Sequence, residues 1–382
     1  MLRKTLNTNR NVKEAMENLR FDIWDLPSVD NKPYFSEDAY YEFTGNQVER
    51  LYEATKELHS MSLDYVSDTI KKGDYSGLGL NDSMISVIES TYKESKDFYL
   101  YGRFDLALNP RNNSIKMLEY NADTPTSLYE SSIVQWDWKE HYFPKADQYN
   151  SIHEELIERW KSFPQNMYFT AHDDAGKEDW MTLYYLLDTY LSSGSNTGNC
   201  INLTDLGLTS SGNFVDMSGT IIENIFKLYP WEFMQEEEFI TSASNTNFLE
   251  PAWKILLSNK SLLPKLWEKH EKHPLLLPSF FIEEGKEFPR SFIKKPIFSR
   301  EGSNVSSTNK EDSRNKDYDL YSDSLYDSSG YIIQADAEIP IQDGFTPVIG
   351  SWVVGEEPCG INVREDKGFT RNTSRFVPHI FI

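Results

Sequence analysis

The amino-acid sequence predicts an α+β protein of 382 residues. Apolar residues recur at three- and four-residue spacing in the first part of the chain, which is typical of helices that pack one face against a core. Farther along, extended apolar runs are joined by a short polar loop, and strand-like runs then alternate with helical ones. This succession indicates an α+β architecture that includes an α/β lobe.

The helical spacing covers residues 11–28, 36–74 and 82–97. The next segment reads as a β-hairpin, in which FYLYGRFDLALN and IKMLEYN flank a five-residue polar loop at 110–114. Further helices are predicted at 151–163, 178–192 and near 220–228, and strands at NMYFTAH, CINLTDLGL and GNFVDM. Beyond them, we expect a helix interrupted near Pro264, strands at RSFIKKPIF, YIIQADAEI, TPVIGSWVV and GINVRED, and a polar loop system at 299–329 that could close as a lid.

Composition and charge narrow the classes of function. Hydrophobic residues make up 39% of the chain and aromatic residues 14%, so the chain can build a substantial core. A formal charge of −22 opposes binding to nucleic acid or to an anionic membrane and favours cationic partners. The N-terminus has no apolar secretory segment, and no run approaches the roughly 20 apolar residues that a membrane-spanning helix needs. We therefore expect a soluble, cytoplasmic protein.

The hairpin strands bring together oxygen ligands and a guanidinium. Strand periodicity places Arg103 and Asp105 on one face of the first strand and Glu119 and Asn121 on one face of the second. If Asn109 pairs with residue 115, Asp105 lies opposite Glu119 and Arg103 lies opposite Asn121. Two facing carboxylates need a cation, and Mg²⁺ accepts carboxylate and amide oxygens. The alternative is an ordinary salt-bridged hairpin.

Three other segments carry charges that could serve a site. The strand SFIKKPIF points Lys294 and Lys295 to opposite faces, and an inward lysine before a small-residue loop could bind phosphate, although surface lysines are the commoner explanation. Lys254 lies in the first turn of a helix, against the helix dipole. The pair formed by Glu178 and Asp179 could bind a polyamine or simply complement a helix N-terminus.

Together, the motifs YGRFDLAL, MLEYNADTPTSLYE, EPAWKILLSNKSLLPKLW, FIKKPIFSREGSNV and IGSWVVGEEPCGINVREDKGFTRNTSRFVPH resemble the glutathionylspermidine synthase family, and more closely its members that lack an amidase domain. The resemblance runs from about residue 20 to the C-terminus. It implies an ATP-grasp fold, circularly permuted so that the hairpin comes early, as in eukaryotic glutathione synthetase. The implied lobes are an N-terminal helical part at 1–98, a metal-binding hairpin and loop at 99–145, a pre-ATP-grasp α/β lobe at 146–245 and an ATP-binding part at 246–382.

The resemblance also implies roles for the residues that match the family's motifs. Those implied to hold Mg²⁺ are Asp105, Glu119 and Asn121. Arg103 is implied to stabilise the transferring phosphoryl group, and Arg364 is implied to face the acyl phosphate. Those implied to bind ATP are Lys254 and Lys295, with Arg300 in the covering loop and Gln334 near the adenine. Those implied to contact the acid substrate are Thr124 and Thr126, and those implied to receive the amine are Glu178 and Asp179.

The implied reaction is an ATP-dependent ligation of a small or peptide carboxylate to an amine through an acyl phosphate. Glutathione and spermidine are the family's named pair, so the resemblance implies a glutathione-like acid and a polyamine as the candidate substrates. Two alternatives stay open at the level of the sequence. One is a nucleotide-binding protein that has lost ligation and acts in regulation. The other is a kinase that phosphorylates a small carboxylate without forming an amide.

Overall fold

The computed structural model describes residues 1–172, 177–282, 291–315, 323, 326 and 329–382. Part of the predicted loop system at 299–329 therefore lies outside the described residues. The α-helices are α1 (Val12–Asn18), α2 (Gly45–Lys72), α3 (Asp82–Ser95), α4 (Gln135–Tyr142), α5 (Ile152–Trp160), α6 (Lys177–Ser192), α7 (Trp231–Met234), α8 (Ile255–Ser258) and α9 (Leu262–Lys269). In this part of the chain, no helix is long and apolar enough to cross a membrane.

Five sheets are formed by the described strands. These strands are β1 (Leu2–Thr5), β2 (Ala39–Phe43), β3 (Tyr101–Asn109), β4 (Ser114–Asn121), β5 (Asn166–Ala171), β6 (Thr197–Asn202), β7 (Gly207–Leu208), β8 (Phe214–Val215), β9 (Asn224–Lys227), β10 (Asn247–Leu249), β11 (Ser279–Phe281), β12 (Phe292–Pro296), β13 (Ser306–Ser307), β14 (Tyr331–Ala335), β15 (Thr346–Val354), β16 (Glu357–Asp366), β17 (Arg375–Val377) and β18 (His379–Phe381).

The N-terminal part is less helical than its spacing predicts. The long helix α2 begins where Thr44 and Gln47 form a capping box, and it ends at Gly73 in the left-handed conformation. Helix was also predicted for residues 36–44, but Ala39–Phe43 forms strand β2 instead. This segment pairs with β1 and with β18 at the far end of the chain, so long-range pairing overrides the local helical spacing.

A central antiparallel sheet of order β17-β16-β15-β3-β4 carries the predicted hairpin. Asp105 lies opposite Glu119 and Arg103 lies opposite Asn121, as the sequence predicted. The loop that joins the strands is shorter than expected, because Asn109 pairs with Ser114. A β-bulge at Leu118 adds one residue to β4 and restores the predicted register beyond it.

A parallel sheet of order β10-β9-β5-β6 packs against α6, and the Trp160 ring of α5 contacts the Phe169 ring of β5. The predicted strand NMYFTAH contains β5, whereas CINLTDLGL overlaps β6 only at residues 200–202. The helix expected near 220–228 is wrong, because Asn224–Lys227 is strand β9 between β5 and β10. Its last three residues are buried, and a short apolar run of this kind gives no helical or strand period to distinguish the two structures.

A smaller sheet of order β11-β14-β12-β13 faces the hairpin. The preceding helical segment is interrupted at residues 259–261, between α8 and α9, rather than at Pro264. Pro264 is accommodated in the first turn of α9, where its missing N–H group costs no hydrogen bond within the helix. The early break places Lys260 beside the hairpin, which matters for the site below.

Candidate functional site

A cleft opens between the β3–β4 hairpin and the smaller sheet. Its walls come from the two sheets, and loops at 123–126, 299–302 and 368–372 surround it. The sequence-predicted residues that line it are Arg103, Asp105, Glu119, Asn121, Thr124, Thr126, Lys295, Arg300, Gln334 and Arg364. The fold therefore brings together residues that are up to 261 positions apart in the chain.

Arg103 and Asp105 form a buried ion pair on the floor of the cleft. Arg103 Nε donates to Asp105 Oδ1 at 2.8 Å and Nη2 donates to Oδ2 at 3.3 Å. The remaining terminal nitrogen donates to the carbonyl oxygen of Thr126 at 2.6 Å. The guanidinium is thus fixed by two segments, with its carbon 5.7 Å from the centre of the Trp352 ring.

The pKa values of the two facing carboxyl groups are shifted in opposite directions. Burial disfavours ionisation of Glu119, but the cations Lys260, Lys295 and Arg103 outweigh it and lower the pKa of Glu119 to about 2. Burial raises the pKa of Asp105, since Arg103 offsets the effect only in part and Glu119 adds a like charge. One carboxylate is therefore firmly anionic, and the other gains from a further cation placed between them.

The donors present fit a hard divalent cation. Asp105 and Glu119 supply carboxylate oxygens, and the Asn121 amide, whose nitrogen lies 3.4 Å from Glu119 Oε1, supplies a further group beside them. Within the described ranges, no group of three or more His, Cys, Asp or Glu side chains is arranged as a metal site. An ion held here would keep positions for water and phosphate oxygens, which is the coordination that Mg²⁺ adopts in nucleotide sites.

Lysines meet the hairpin from the opposite wall. Lys295 faces the cleft, in agreement with the prediction that at most one of the two adjacent lysines is inward. Its ammonium donates to Gln334 Oε1 at 2.7 Å and to the Leu118 carbonyl at 3.0 Å. Burial lowers the pKa of Lys295 to about 8, with Glu119 opposing the shift. Lys260 lies 3.3 Å from Glu119 Oε2. Lys260 was not among the residues singled out from the sequence.

Lys254 is not among the described residues that line the cleft. Its side chain is fully buried, with the ammonium 2.6 Å from Glu250 Oε2 and 2.6 Å from the carbonyl oxygen of Tyr101. Glu250 in turn accepts hydrogen bonds from the backbone N–H groups of Leu100 and Tyr101. The structure therefore places Lys254 in an ion pair that anchors the start of β3, and Lys260 occupies the position facing the cleft.

The loop after the hairpin is held by cations from several elements. The Arg300 guanidinium donates hydrogen bonds to the hydroxyl and carbonyl oxygens of Thr124, and it donates to Glu232 Oε1 at 2.9 Å. Lys227 donates to Asp123 Oδ1 at 2.8 Å, and both side chains are buried. The conformation of this loop is thus tied to the parallel sheet, to the hairpin and to the loop that carries Arg300.

Arg364 enters the same end of the cleft from β16. Its nitrogens donate to the carbonyl oxygens of Arg371 and Asn372 at 2.8 Å each and to Ser127 Oγ at 3.2 Å. The Tyr34 hydroxyl lies 3.1 Å from the same Ser127 oxygen and donates to Glu130 Oε1 at 2.9 Å. An N-terminal residue thus joins the site, although the sequence pattern around Tyr34 gave no signal of it.

Glu178 and Asp179 lie in the first turn of helix α6 and are not among the described residues that line the cleft. The two carboxyl groups nevertheless interact electrostatically with arginines that line the cleft. Burial and the Glu130 carboxylate raise the pKa of Glu178 to about 8, against the effect of Arg364. Burial also raises the pKa of Asp179, and Arg300 opposes that shift. An incoming ammonium group would relieve the repulsion among these acids.

The arrangement suits the handling of phosphate and carboxylate anions. Guanidinium and ammonium groups from β3, β12, β16 and the loops surround a single acidic patch that fits a divalent cation. Such fixed charges stabilise charge that develops on oxygen atoms during group transfer. Among the residues that the sequence analysis did not single out, Lys260, Glu232 and Asp336 also line this cleft. Lys260 lies within the motif EPAWKILLSNKSLLPKLW, in which only Lys254 was assigned a role.

Comparisons of the sequence with known proteins all lead to the same family. A model of the glutathionylspermidine synthase pre-ATP-grasp family matches residues 3–382. A Haemophilus influenzae protein named as a candidate acid–amine ligase is 41% identical, over 98% of both chains. The trypanothione synthetase of Crithidia fasciculata is 26% identical over 70% of this chain, and the bifunctional glutathionylspermidine synthetase/amidase of Escherichia coli is 24% identical over 72%.

The chain spans about half the length of the trypanothione synthetase and of the bifunctional protein, with 45% and 48% of them covered. Among solved structures, a glutathione synthetase-like effector from Globodera pallida in its apo form aligns with a TM-score of 0.56 over 98% of both chains. Its sequence identity is 9%, so this likeness concerns the fold alone.

Proposed function

The chain belongs to the glutathionylspermidine synthase family and is an ATP-dependent acid–amine ligase, and from this premise we propose that it joins a glutathione-like peptide carboxylate to a polyamine. The observation that carries the proposal is the convergence of Asp105, Glu119 and Asn121 with Arg103 and Lys295 in one cleft. Oxygen ligands for a divalent cation and cations for phosphate thus face one another, as a nucleotide-dependent ligase requires.

The proposed architecture is a circularly permuted ATP-grasp fold. The metal-binding hairpin and its loop lie within 99–145, a pre-ATP-grasp lobe lies within 146–245, and the ATP-binding part lies within 246–382. The cleft between the hairpin and the sheet that carries Lys295 and Gln334 supports this arrangement, because a nucleotide there would contact both.

The proposed chemistry has two steps. An oxygen of the acid's carboxylate attacks the γ-phosphorus of ATP, the bond to the β-phosphate oxygen breaks, and acyl phosphate and ADP form. The uncharged amine then attacks the acyl carbon, the bond from that carbon to the phosphate oxygen breaks, and inorganic phosphate leaves with the proton that the amine nitrogen loses, which gives an amide. The first step brings two anions together, and in the second step negative charge develops on the acyl oxygen and the leaving phosphate, so charge neutralisation and positioning supply most of the catalysis.

Different residues of this chain neutralise different groups of the substrates. Arg103 and Arg364 neutralise charge on the transferring phosphoryl group, and Lys295 with Lys260 neutralises the nucleotide phosphates. Asp105, Glu119 and Asn121 would hold Mg²⁺, which when bound neutralises phosphate oxygens. Loss of one such charged contact should cost about 3–4 kcal/mol of transition-state stabilisation.

The amine enters, in this proposal, from the side of Glu178 and Asp179. The supporting observation is the raised pKa of both groups, since a cationic amine favours their ionised forms. The formal charge of −22 also favours a polyamine over an anionic acceptor. Thr124 and Thr126 face the cleft where the acid would lie.

The test is a screen of acids and amines for coupled ADP release, with the product identified by mass spectrometry. Glu119→Ala should abolish amine-dependent ADP release while the unfolding midpoint stays close to that of the wild type. Glu42→Ala is the matched control, because Glu42 pairs with Lys4 outside the cleft. Wild-type turnover in Glu119→Ala would overturn the metal-ligand role.

Two outcomes of the screen would overturn ligation itself. ADP release that needs the acid alone, with no amide formed from any amine, would make the protein an acid kinase. Binding of ATP and Mg²⁺ without ADP release from any pair would make it a regulatory nucleotide-binding protein.

A further inference from the structure

Gly350 lies at the centre of the sheet, directly beside the predicted metal ligands. On β15 it pairs with Asp105 of β3 on one side and with Asn362 of β16 on the other. Two residues farther along the same strand, Trp352 lies opposite Arg103. Residues two apart on a strand share a face, so Gly350 belongs to the face that carries the cleft residues.

The space above Gly350 is already occupied. A methyl group added there would collide with Asn362 Oδ1 and would lie 2.8 Å from Arg103 Cδ. The stem of Arg103 therefore crosses the position that any other side chain at residue 350 would fill. The backbone of Gly350 does not have a positive φ, so its lack of a side chain, and not its conformation, is what the site requires.

Neither neighbour can move aside without loss of a contact. Arg103 is held at its far end by Asp105 at 2.8 Å and by the Thr126 carbonyl at 2.6 Å. Asn362 is buried and accepts a hydrogen bond from the Trp352 indole at 2.9 Å. The Trp352 ring in turn lies beside the Arg103 guanidinium. Together, Gly350, Trp352 and Asn362 form a closed seat for the arginine stem.

We infer that Gly350 is a positioning residue for Arg103: its missing side chain lets the arginine stem lie flat across β15, so that the guanidinium reaches Asp105 and the cleft. The role of Arg103 in catalysis rests on the proposed function, whereas the seat itself is a matter of geometry. Displacement of a phosphoryl-binding arginine by about 1 Å should lower turnover by about 100-fold.

The experiment compares Gly350→Ala with Gly360→Ala. Gly360 is on the neighbouring strand, and a methyl group there would lie 2.8 Å from Ile152 Cγ1, so it is similarly crowded without contacting Arg103. We expect kcat for ADP release to fall by about 100-fold in Gly350→Ala, with less than a threefold change in the KM for ATP. Gly360→Ala should keep its kcat within about threefold of wild type even if it unfolds at lower urea concentration.

A crystal structure of Gly350→Ala tests the position of the Arg103 side chain independently of the reaction. We expect the guanidinium to be displaced and at least one hydrogen bond between Arg103 and Asp105 to be broken.

If Gly350→Ala does not fold, the double variant Gly350→Ala/Asn362→Ala removes one of the two collisions and keeps the contact with Arg103, with Asn362→Ala alone as its control. An undisplaced arginine, or equal kcat values in the Gly350 and Gly360 variants, would overturn the inference. A wild-type protein without ligase activity would instead overturn the proposed function and leave the structural result intact.

Discussion

Lys260 places its ammonium nitrogen 3.3 Å from Glu119 Oε2, at the point where the smaller sheet meets the hairpin. It is one of the cations that lower the pKa of Glu119 to about 2. Lys254, six residues earlier, points instead into the protein interior and pairs with Glu250. The two lysines therefore have separable roles, which mutation can distinguish.

Lys260→Ala should weaken nucleotide binding without unfolding the protein. The change removes one of the cations facing Glu119, and a hydrogen bond to a charged group contributes about 1.5–3 kcal/mol. We expect the KM for ATP to rise by about 10- to 100-fold. Lys269→Ala is the control on the same helical segment, because Lys269 forms a surface ion pair with Asp68. Equal KM values in the two variants would contradict the placement of Lys260 in the nucleotide site.

Lys254→Met should act on stability. It leaves the Glu250 carboxylate buried without its cation, and removal of one partner of a buried ion pair typically costs about 3–5 kcal/mol. Urea unfolding at pH 7 measures this difference. The double variant Glu250→Gln/Lys254→Met should recover part of the loss, because the glutamine oxygen can still accept from the N–H groups of Leu100 and Tyr101. A single variant as stable as the wild type would contradict this structural role.

The sequence predicted most of the residues that line the cleft, but it did not predict Lys260 or the residues that hold the cleft side chains in place. Residue parity showed which side chains of each strand share a face, and an assumed five-residue loop placed Asp105 opposite Glu119. The loop is one residue shorter, and the predicted pairing holds only because the bulge at Leu118, which the sequence did not reveal, restores the register. Lys260 could not be identified in this way, because its position depends on a helix break at residues 259–261 that no proline or glycine marks.

Long-range pairing explains the other differences. β2 was predicted as helix as part of the helical spacing at 36–74, and β9 was predicted as helix although its short apolar run carries no distinguishing period. Each pairs with strands distant in the chain. The contribution of Tyr34 to the site has the same origin. It reaches Ser127 and Glu130 only because the N-terminal segment packs against the helical turns that follow the hairpin loop.

Ser127 combines a left-handed backbone, with a φ of 66°, and a buried hydroxyl between Arg364 and Tyr34. Ser127→Gly should relieve the backbone conformation, and Ser127→Ala should not. Both variants remove the hydroxyl, so both should lower kcat, but the glycine variant should be about 1 kcal/mol more stable than the alanine variant. Urea midpoints and ADP-release rates measure the two effects. Full activity in either variant would show that the hydroxyl does not position Arg364.

Glu178 should give the protein a recognisable pH dependence of stability. Its pKa in the folded protein is about 8, because of burial and the Glu130 carboxylate, whereas the unfolded value is near the ordinary 4.5. The folded state therefore retains a proton that the unfolded state releases, and stability falls as pH rises from about 4.5 to 8. Glu178→Gln has no such proton to release, so its free energy of unfolding should increase relative to that of the wild type as the pH rises through this range.

The gain should reach at least about 1 kcal/mol between pH 5 and pH 8, since one pKa unit corresponds to about 1.4 kcal/mol. Urea unfolding of both proteins at the two pH values measures it, and Glu154→Gln on α5 provides a control whose pH dependence should match the wild type. A cationic amine beside Glu178 should lower its pKa, so saturating polyamine should shrink the difference between wild type and Glu178→Gln. If polyamine leaves that difference unchanged, the amine does not bind next to Glu178, and the acidic pair at the start of α6 is a structural feature of the helix N-terminus.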